Sequence, residues 1–260
     1  MATFLFNEII FGPVKSRRLG VSLGINLLPV KSKICNFNCI YCECGWTNDI
    51  QKAASHLPGR EEVREALDHK LSVMKKEGEA PDVITYAGNG EPTLHPEFPG
   101  IIDDSIILRN KYFPKAKIAV LSNSTTIKSP LIKAALLKVD QNILKLDSVF
   151  DETIMIHNQP RVKINAEELI ENLAGFNGKL IIQTLFLHGV YDGKIIDNTT
   201  PEEINAWLGA LQRIKPSEVM IYTISRDTPE GAQLKKVSAK ELRAIAALVE
   251  NLGIKTQVSA

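Results

Sequence analysis

Short apolar runs alternate with amphipathic segments about six times along the chain, and this alternation restricts the fold more than any other sequence feature. The runs that we predict as strands are VSLGINLLPV, DVITYAG, KIAVLSN, NILKLDS, KLIIQTLFLHG and EVMIYTIS, and KTQVSA is predicted as a short last strand. Regular alternation of strands and helices favours βαβ units and a parallel sheet. We therefore expect an α/β protein with a partial (β/α)6 barrel, and a doubly wound open sheet is the alternative. In both folds, functional residues gather at the carboxyl ends of the strands.

The segments between the runs carry helix signals. In REEVREALDHKLSVMKKEG, apolar residues at positions 63, 67, 71 and 74 recur at helical spacing. Asn165, Thr200 and Ser238 each precede a helical segment and have a glutamate three residues later, which is typical of a helix N-terminus. Single histidines at positions 95, 157 and 188 lack ligand spacing, so we predict that they are packing or surface residues.

The composition favours one globular domain. No repeat or linker interrupts the 260 residues, so we expect a single domain over residues 1–260, in which residues 1–20 are an extension that leads into the first strand. No apolar run is long enough to span a membrane, and the first residues lack the order of a secretory signal. We therefore expect no membrane association and a cytoplasmic location. The formal net charge of +1 does not support a broad nucleic-acid surface, and nucleic-acid binding stays open.

All four cysteines lie within ten positions, in the stretch KICNFNCIYCEC directly after the first predicted strand. Cys35, Cys39 and Cys42 have the spacing C-x3-C-x2-C, and Cys44 follows two residues later. A cytoplasmic chain keeps its thiols reduced, so clustered cysteines indicate metal ligands rather than disulfides. Three thiolates on a tight loop can hold three irons of a cubane cluster. A structural zinc site with Cys44 as the fourth ligand and a set of unligated buried thiols are the alternatives.

A second polar motif, GNGEP, follows the second predicted strand. Glycines allow the backbone to approach a ligand closely, and a carboxylate accepts hydrogen bonds from a cationic group. A turn in which Glu91 caps a helix is the alternative. Because the motif lies one βα unit after the cysteine loop, we predict that Gly88, Asn89, Gly90 and Glu91 bind a ligand.

Polar residues also end the later strands. The candidates for ligand or substrate contact are Asn123 after the third strand, Asp147 after the fourth, Gln183 in the fifth and Arg226 after the sixth. For each of them, an ordinary strand-to-helix turn residue is the alternative.

With Tyr41 directly before its third cysteine, the stretch KICNFNCIYC resembles the signature of the radical S-adenosylmethionine (SAM) superfamily. The resemblance implies a partial barrel of the radical SAM type and a [4Fe–4S] cluster on Cys35, Cys39 and Cys42, with SAM bound at the iron that no cysteine holds. It also implies the superfamily's reaction, in which an electron from the cluster cleaves SAM and a 5′-deoxyadenosyl radical takes a hydrogen atom from a substrate. The protein then positions and shields the reactants.

The same resemblance implies roles for the other candidates. GNGEP is similar to the Gly-Gly-Glu-like motif that holds the SAM amino group, and the fourth strand is where the superfamily places ribose contacts. The residues that we accordingly expect to bind the cofactor are Tyr41, Gly88, Asn89, Gly90, Glu91, Asn123, Asp147 and Gln183. Two residues are candidates for a catalytic role: Arg226, which could meet the SAM carboxylate or an anionic substrate, and Cys44, the odd thiol beside the cluster.

The upstream segment FGPVKSRRLGVSLGINLLP, together with AGNGEP and YTISR, resembles a subgroup of small iron–sulfur oxidoreductases related to the tRNA wyosine-base-forming radical SAM enzymes. Those enzymes hold a second cluster with cysteines upstream of the main motif, and this chain has no cysteine before Cys35. The departure counts against wyosine-type chemistry. In the same segment, Lys15, Arg17 and Arg18 form a basic turn that either binds an anion near the site or is simply solvated.

We therefore predict a radical SAM iron–sulfur enzyme whose unidentified substrate is a small molecule, a nucleoside or a protein. The resemblance also implies an electron donor similar to flavodoxin or ferredoxin. The alternatives are a tRNA base-modifying radical SAM enzyme and, in a different class, a non-catalytic metal-binding module on the same scaffold. GNGEP favours the enzymes, since a metal-binding module has no use for it.

Overall fold

The computed structural model describes residues 4–47, 57–226, 228 and 233–260 of the chain. The strands in these residues are β1 (Ile10–Ser16), β2 (Gly20–Ile25), β3 (Val83–Tyr86), β4 (Lys117–Ser122), β5 (Gln141–Lys145), β6 (Ile181–Leu185), β7 (Leu187–Tyr191), β8 (Lys194–Asp197), β9 (Glu218–Tyr222), β10 (Leu234–Lys236) and β11 (Lys255–Ser259). The α-helices are α1 (Arg60–Glu77), α2 (Phe98–Tyr112), α3 (Pro130–Leu136), α4 (Asp151–His157), α5 (Ala166–Ala174), α6 (Pro201–Ile214) and α7 (Ala239–Glu250), and a 3-10 helix spans Pro92–Leu94.

Eight of these strands form one sheet in the order β1-β2-β3-β4-β5-β6-β9-β11. β1 and β2 are antiparallel, and every later pair in this sheet is parallel. A doubly wound sheet reverses its strand order at a switch point, whereas this order follows the chain without reversal. The sheet is a curled half-barrel, so the predicted α/β partial barrel is confirmed.

The run KLIIQTLFLHG differs from its prediction as one strand, because it breaks at Phe186 into β6 and β7. β7 leaves the main sheet and pairs with β8 and β10 in a three-stranded antiparallel sheet. The side chain of Asn198 satisfies backbone groups at the break. Its Nδ2 donates to the carbonyl oxygens of Leu185 (2.8 Å) and Asp147 (2.9 Å), and its Oδ1 accepts from the N–H of Leu187 (2.9 Å).

The helix ends agree with the capping signals in the sequence. Asn165, Thr200 and Ser238 each accept a hydrogen bond from the backbone N–H three residues later. Ser238 also forms the reciprocal bonds of a full capping box with Glu241. In the described part of the chain, no helix combines the length and the apolar character needed to cross a bilayer.

The two faces of the sheet bury different kinds of side chain. The outer face packs against the helices in the main apolar core. On the inner face, an apolar layer lies near the amino ends of the strands and comprises Val83, Ala119, Ile143, Ile181 and Met220. Since side chains on one face of a strand recur every two residues, the next inner layer comprises Thr85, Leu121, Lys145, Gln183 and Tyr222. This second layer is mostly polar, which makes the inside of the half-barrel polar toward the carboxyl ends.

Candidate active site

A cavity of about 160 Å³ lies on the inner face at the carboxyl ends of the strands. We call it the cysteine cavity. Most of the predicted site residues line it, namely Cys35, Cys39, Tyr41, Cys42, Cys44, Gly88, Gly90, Glu91, Asn123 and Gln183. Three predicted residues do not line it, namely Asn89, Asp147 and Arg226. Residues that line the cavity without having been predicted are Lys33, Phe37, Leu121, Ser122 and Lys145.

Backbone pairing holds the cysteine loop on both sides. Ile34 forms a parallel bridge with Gly90, and Phe37 forms an antiparallel bridge with Pro160. The first bridge joins the loop to GNGEP, and the second joins it to the segment after α4. The thiols therefore lie on a loop whose backbone is tied to the rest of the half-barrel.

Hydrogen-bond donors point at two of the sulfur atoms. The backbone N–H of Phe37 (3.4 Å) and Nδ2 of Asn123 (3.5 Å) donate to Sγ of Cys35. Nδ2 of Asn158 donates to Sγ of Cys39 at 3.4 Å. Burial acts in the opposite direction, because it raises the pKa of Cys35 to about 12 and also raises the pKa of Cys39. Buried thiols of this kind become thiolates when a metal or a fixed cation compensates their charge.

Lys33 supplies a fixed cation beside the thiols. Its side chain is buried, and its Nζ donates to the carbonyl oxygen of Gly45 at 2.8 Å. Burial alone lowers the pKa of Lys33, but the nearby sulfurs of Cys42, Cys35 and Cys39 outweigh it and the pKa is raised. The ammonium group therefore stays charged and offsets negative charge on these sulfur atoms.

Cys44 lies beside Cys42, the third cysteine of the C-x3-C-x2-C motif, but does not itself belong to that motif. Its Sγ donates to the carbonyl oxygen of Gly88 at 3.5 Å. Contact between the two side chains lowers the pKa of Cys42 and raises that of Cys44. A metal ligand has to be deprotonated, and the direction of the shift at Cys42 agrees with this requirement.

Both glycines that line the cavity occupy positions where a side chain does not fit. A Cβ atom at Gly90, whose φ is +137°, would lie 1.7 Å from the carbonyl oxygen of Ile34. A Cβ atom at Gly88 would lie 2.4 Å from Oδ1 of Asn26. The close approach of GNGEP to the cysteine loop thus requires glycine.

Asn89 has a different position from the one predicted. Its side chain donates to the carbonyl oxygens of Phe6 and Pro29 (both 2.8 Å) and accepts from the N–H of Phe6 (2.8 Å). Its N–H donates to Asn26, and its carbonyl oxygen accepts from Ile34. All of its polar groups are used inside the protein, so we no longer assign it to the cofactor.

Glu91 is buried at the cavity wall, where its carboxylate is already oriented. One oxygen accepts from the N–H (3.1 Å) and the hydroxyl (2.5 Å) of Thr93, and the other accepts from the N–H of Asn123 (2.6 Å). Burial raises the pKa of Glu91, although these hydrogen bonds oppose the effect. Glu91 also caps the 3-10 helix, so the capping role and the position in the site occur together.

Asp147 does not line the cysteine cavity but contacts Tyr41, which does. Its Oδ2 accepts hydrogen bonds from the hydroxyl of Tyr41 and from Nδ2 of Asn158 (2.8 Å), and its Oδ1 accepts from the N–H of Leu185 (3.0 Å). Nζ of Lys145 lies 3.5 Å from the same carboxylate. The carboxylate of Asp147 therefore orients Tyr41, and the side chain on this strand that reaches the cavity belongs to Lys145.

Lys145 and Gln183 belong to one polar network on the inner face. Nζ of Lys145 and Nε2 of Gln183 both donate to the hydroxyl of Tyr222 at 3.0 Å. Nη1 of Arg18 donates to Oε1 of Gln183 at 3.0 Å, and its guanidinium lies 4.6 Å from the centre of the Tyr222 ring. Burial lowers the pKa of Lys145, but the charge of Asp147 and neighbouring groups outweighs it and the pKa is raised. Lys145 thus brings a lasting positive charge to the cavity.

Arg226 lies outside the cysteine cavity. Its guanidinium pairs with Glu43 at 2.7 Å, and 66% of its side chain is exposed. Of the two roles considered for it, contact with an anionic substrate fits this position better than contact with the cofactor.

The thiols are arranged for a cluster. Among the described residues, no three His, Cys, Asp or Glu side chains converge as the ligands of one metal ion. All four cysteines instead share the wall of one cavity, and three of them belong to the C-x3-C-x2-C motif. A cubane cluster takes one thiolate on each of three irons, whereas zinc gathers all of its ligands around one ion. The donor set, with its N–H···S bonds and Lys33, therefore fits an iron–sulfur cluster better than a zinc ion.

The half-barrel and a cavity lined by the cysteines of a C-x3-C-x2-C motif at the carboxyl ends of its strands are the features of a radical SAM protein. A model of the radical SAM superfamily matches residues 30–199, and the chain belongs to this superfamily. The protein is therefore a radical SAM enzyme, and membership implies a [4Fe–4S] cluster and SAM. The predicted enzyme class and cofactors are confirmed.

Comparison with individual proteins shows which members of the superfamily the chain is similar to. It is 30% identical to a UPF0026 protein of Synechocystis sp. over 234 residues, which cover 87% of this chain and 79% of that protein. It is also 28% identical over 227 residues to a protein of Brachyspira hyodysenteriae named GTPase Obg. The match covers 84% of this chain but only 30% of that protein. A radical SAM methyltransferase from Sphaerobacter thermophilus has a similar structure, with a TM-score of 0.66 and 14% identity over 92% of this chain and 65% of that one. That likeness shows the fold alone. Further relatives from Helicobacter pylori and Methanocaldococcus jannaschii are also named UPF0026 proteins. The finer relation to wyosine-forming enzymes stays a prediction.

Proposed function

We propose that Cys35, Cys39 and Cys42 hold the [4Fe–4S] cluster and that the enzyme takes a hydrogen atom from a substrate next to it. When bound, the cluster and SAM supply a 5′-deoxyadenosyl radical by one-electron cleavage of SAM. The observation that carries the proposal is that the three thiols of the C-x3-C-x2-C motif line one cavity together with Gly88 and Glu91, with Cys44 as a fourth thiol outside the motif. Lys33 offsets the charge of the sulfur ligands from inside the loop.

The cavity offers two charges that match the amino-acid part of SAM. Glu91 is held by Thr93 and Asn123 and offers a carboxylate to an ammonium group. Lys145 offers a cation to a carboxylate group. Gln183 lines the cavity beside Lys145 and adds an amide that can donate or accept. We assign these residues to cofactor binding.

Asp147 acts through Tyr41. The hydrogen bond between them fixes the aromatic ring at the cavity wall, and Asn158 holds both side chains from the other side. This arrangement excludes water from the sulfur of Cys39, which Asn158 also contacts. Asp147 and Asn158 are accordingly positioning residues.

The reaction needs a substrate and a reductant. For the reductant we propose a small one-electron donor similar to flavodoxin or ferredoxin. The substrate has to reach the cysteine cavity from inside the half-barrel, since the cysteine loop and GNGEP close the cavity where they pair.

Two cysteine variants test whether Cys35, Cys39 and Cys42 are cluster ligands and Cys44 is not. After anaerobic reconstitution, Cys39→Ala is expected to lose the cluster, because a ligand is removed, whereas Cys44→Ala is expected to retain its iron and sulfide. Iron and sulfide analysis and the visible absorption of the two proteins measure this. The native protein, once reduced, should release 5′-deoxyadenosine from SAM.

Two outcomes would contradict the proposal. Equal loss of iron from both variants would overturn the ligand assignment. A fully reconstituted cluster that never cleaves SAM under a strong reductant would count against the reaction.

A further inference from the structure

Two further cavities lie inside the half-barrel, between the β1–β2 hairpin and the residues that follow β9. Their volumes are about 310 Å³ and about 70 Å³. They share one set of lining residues, namely Arg17, Arg18, Glu43, Ser225 and Arg226. We call the two together the edge chamber.

The edge chamber adjoins the cysteine cavity at two points. Leu121 lines both the larger cavity and the cysteine cavity. Tyr41 lines both the smaller cavity and the cysteine cavity. A molecule in the edge chamber would therefore lie next to the place where the radical forms.

The charge of the edge chamber differs from that of the chain. The chain has 31 basic and 30 acidic residues, whereas the described residues that line the chamber include Lys15, Arg17, Arg18 and Arg226 against Glu43. Glu43 pairs with Arg226. Among the described residues, no side-chain carboxylate pairs with Lys15 or Arg18, and Arg17 contacts the backbone oxygen of Ala260. A group of cations with so few carboxylate partners attracts an anion.

The contacts of the two central arginines leave donors for a ligand. Arg18 uses Nη1 for Gln183 and lies over the ring of Tyr222. Arg17 uses Nη1 for the carbonyl oxygen of Ala260 at 3.1 Å. A guanidinium has five N–H donors in a planar fork that matches the oxygens of a phosphate or carboxylate group.

One wall of the larger cavity is aromatic. The rings of Phe6 and Phe11 stack with centroids 3.7 Å apart, and Phe4 meets Phe6 edge-on at 4.9 Å. Phe11 lies directly over Gly24, where a Cβ atom would be 2.0 Å from its ring. The glycine thus makes the room in which the stacked rings sit. A wall of this kind favours a ligand that also has an apolar or planar part.

We propose that the edge chamber binds the substrate and that this substrate is a small organic oxyanion. Its phosphate or carboxylate group is held by Lys15, Arg17 and Arg18, and its apolar part packs against Phe6 and Phe11. The proposal rests on the proposed function, since it places the substrate of that reaction. The oxyanion proposal also extends the proposed function, because it names the chemical class of the substrate.

Equilibrium dialysis of the reconstituted, SAM-bound protein without oxygen tests the chamber with three matched probes: phenyl phosphate, benzoate and the neutral benzyl alcohol. We expect at least one of the two anions to bind more tightly than benzyl alcohol. The anion that binds better identifies the group as a phosphate or a carboxylate. Equal binding of all three probes, or binding of none, overturns the proposal.

Charge variants locate the binding site. Lys15→Ala and Arg17→Ala should each weaken binding of the preferred anion about threefold, the scale of one exposed ion pair. Lys240→Ala is the matched control, because it removes the same charge from an exposed lysine of α7 that does not line the edge chamber. Equal weakening by all three variants would mean that the anion responds only to net charge and would overturn the proposal.

The oxyanion proposal and the proposed reaction can be contradicted separately. Binding is measured without reductant and without turnover. A protein that binds the anion at Lys15 and Arg17 but releases no 5′-deoxyadenosine would overturn the proposed reaction and leave the chamber as an anion site. A protein that cleaves SAM but binds none of the probes would leave the reaction intact and remove the oxyanion proposal.

Discussion

The imidazole of His157 is buried at the end of α4, and its Nδ1 has no hydrogen-bond partner within the described part of the chain. Burial lowers the pKa of His157 from 6.5 to about 4. The ring is therefore neutral in the folded protein over a pH range in which the same ring is protonated in the unfolded chain. The position agrees with the packing role that the sequence predicted for this histidine.

This difference makes the stability of the protein sensitive to acid. The unfolded chain binds the proton more tightly, so the contribution of His157 is fully present above pH 6.5 and is lost as the pH falls to about 4. The pKa difference corresponds to about 3 kcal/mol in the free energy of unfolding. Chemical denaturation of the metal-free protein at the two ends of this range measures the effect. His157→Leu, which cannot titrate, should lose about 3 kcal/mol less than the native protein, and equal losses would show that another group is responsible.

The positions of single residues could be predicted where residue type and spacing decide them, whereas their chemical roles stay predictions. Cys35, Glu91 and Gln183 all line the cysteine cavity as expected. For Asp147, the sequence placed the residue after the correct strand, but Asp147 does not line the cavity. Its burial depends on Tyr41, which lies 106 positions earlier in the chain. No local pattern shows a contact over such a separation, so Lys145 was missed as the residue that reaches the cavity.

At the scale of elements, the bridge between Ile34 and Gly90 joins the cysteine loop to GNGEP. Gly90→Ala would place a Cβ atom 1.7 Å from the carbonyl oxygen of Ile34, at a φ of +137°. The bridge has to open, so we expect the free energy of unfolding to fall by at least about 2 kcal/mol. Denaturation of the metal-free protein measures the cost, and reconstitution should yield less iron per chain because the loop is displaced.

Gly209→Ala is the control for this substitution. Gly209 lies within α6, and apart from the adjacent residues and backbone of that helix no described atom lies within 4 Å of the place where its Cβ would be. Alanine at a helix interior is favoured over glycine by roughly 0.5–1 kcal/mol. The two variants should therefore change stability in opposite directions. A cost for Gly90→Ala as small as the change at Gly209 would mean that the bridge does not fix the cysteine loop.

The elements themselves show where sequence patterns work and where they fail. Most parallel strands were predicted because they are short apolar runs that are largely buried on both faces. β1 was missed, since most of its residues are exposed and its ladder is irregular between Phe11 and Val14. The β7–β8 hairpin was missed although Asp192-Gly193 stands at its turn, a pair typical of tight hairpins. That signal was available in the sequence, whereas the break at Phe186 depends on Asn198.

At the scale of the molecule, the half-barrel ends in two edge strands, β1 and β11, which do not pair with each other. Side chains bridge them instead. Nε2 of Gln257 donates to the carbonyl oxygen of Arg18 at 2.9 Å, and Arg17 donates to the carbonyl oxygen of Ala260 at 3.1 Å. Both contacts hold the β1–β2 turn, which carries the two arginines of the edge chamber. The closure of the half-barrel and the position of these charges are therefore one structural feature.

Gln257→Ala tests whether this closure holds the turn in place. Loss of one hydrogen bond costs about 1 kcal/mol, which corresponds to roughly fivefold more frequent opening. Hydrogen exchange measured by mass spectrometry should therefore be faster in the β1–β2 turn and in β11, and unchanged in the helices. Gln212→Ala, at an exposed position of α6, should leave the exchange of the turn as it is in the native protein. Unchanged exchange of the turn in Gln257→Ala would show that the antiparallel pairing of β1 with β2 holds the arginines without help from β11.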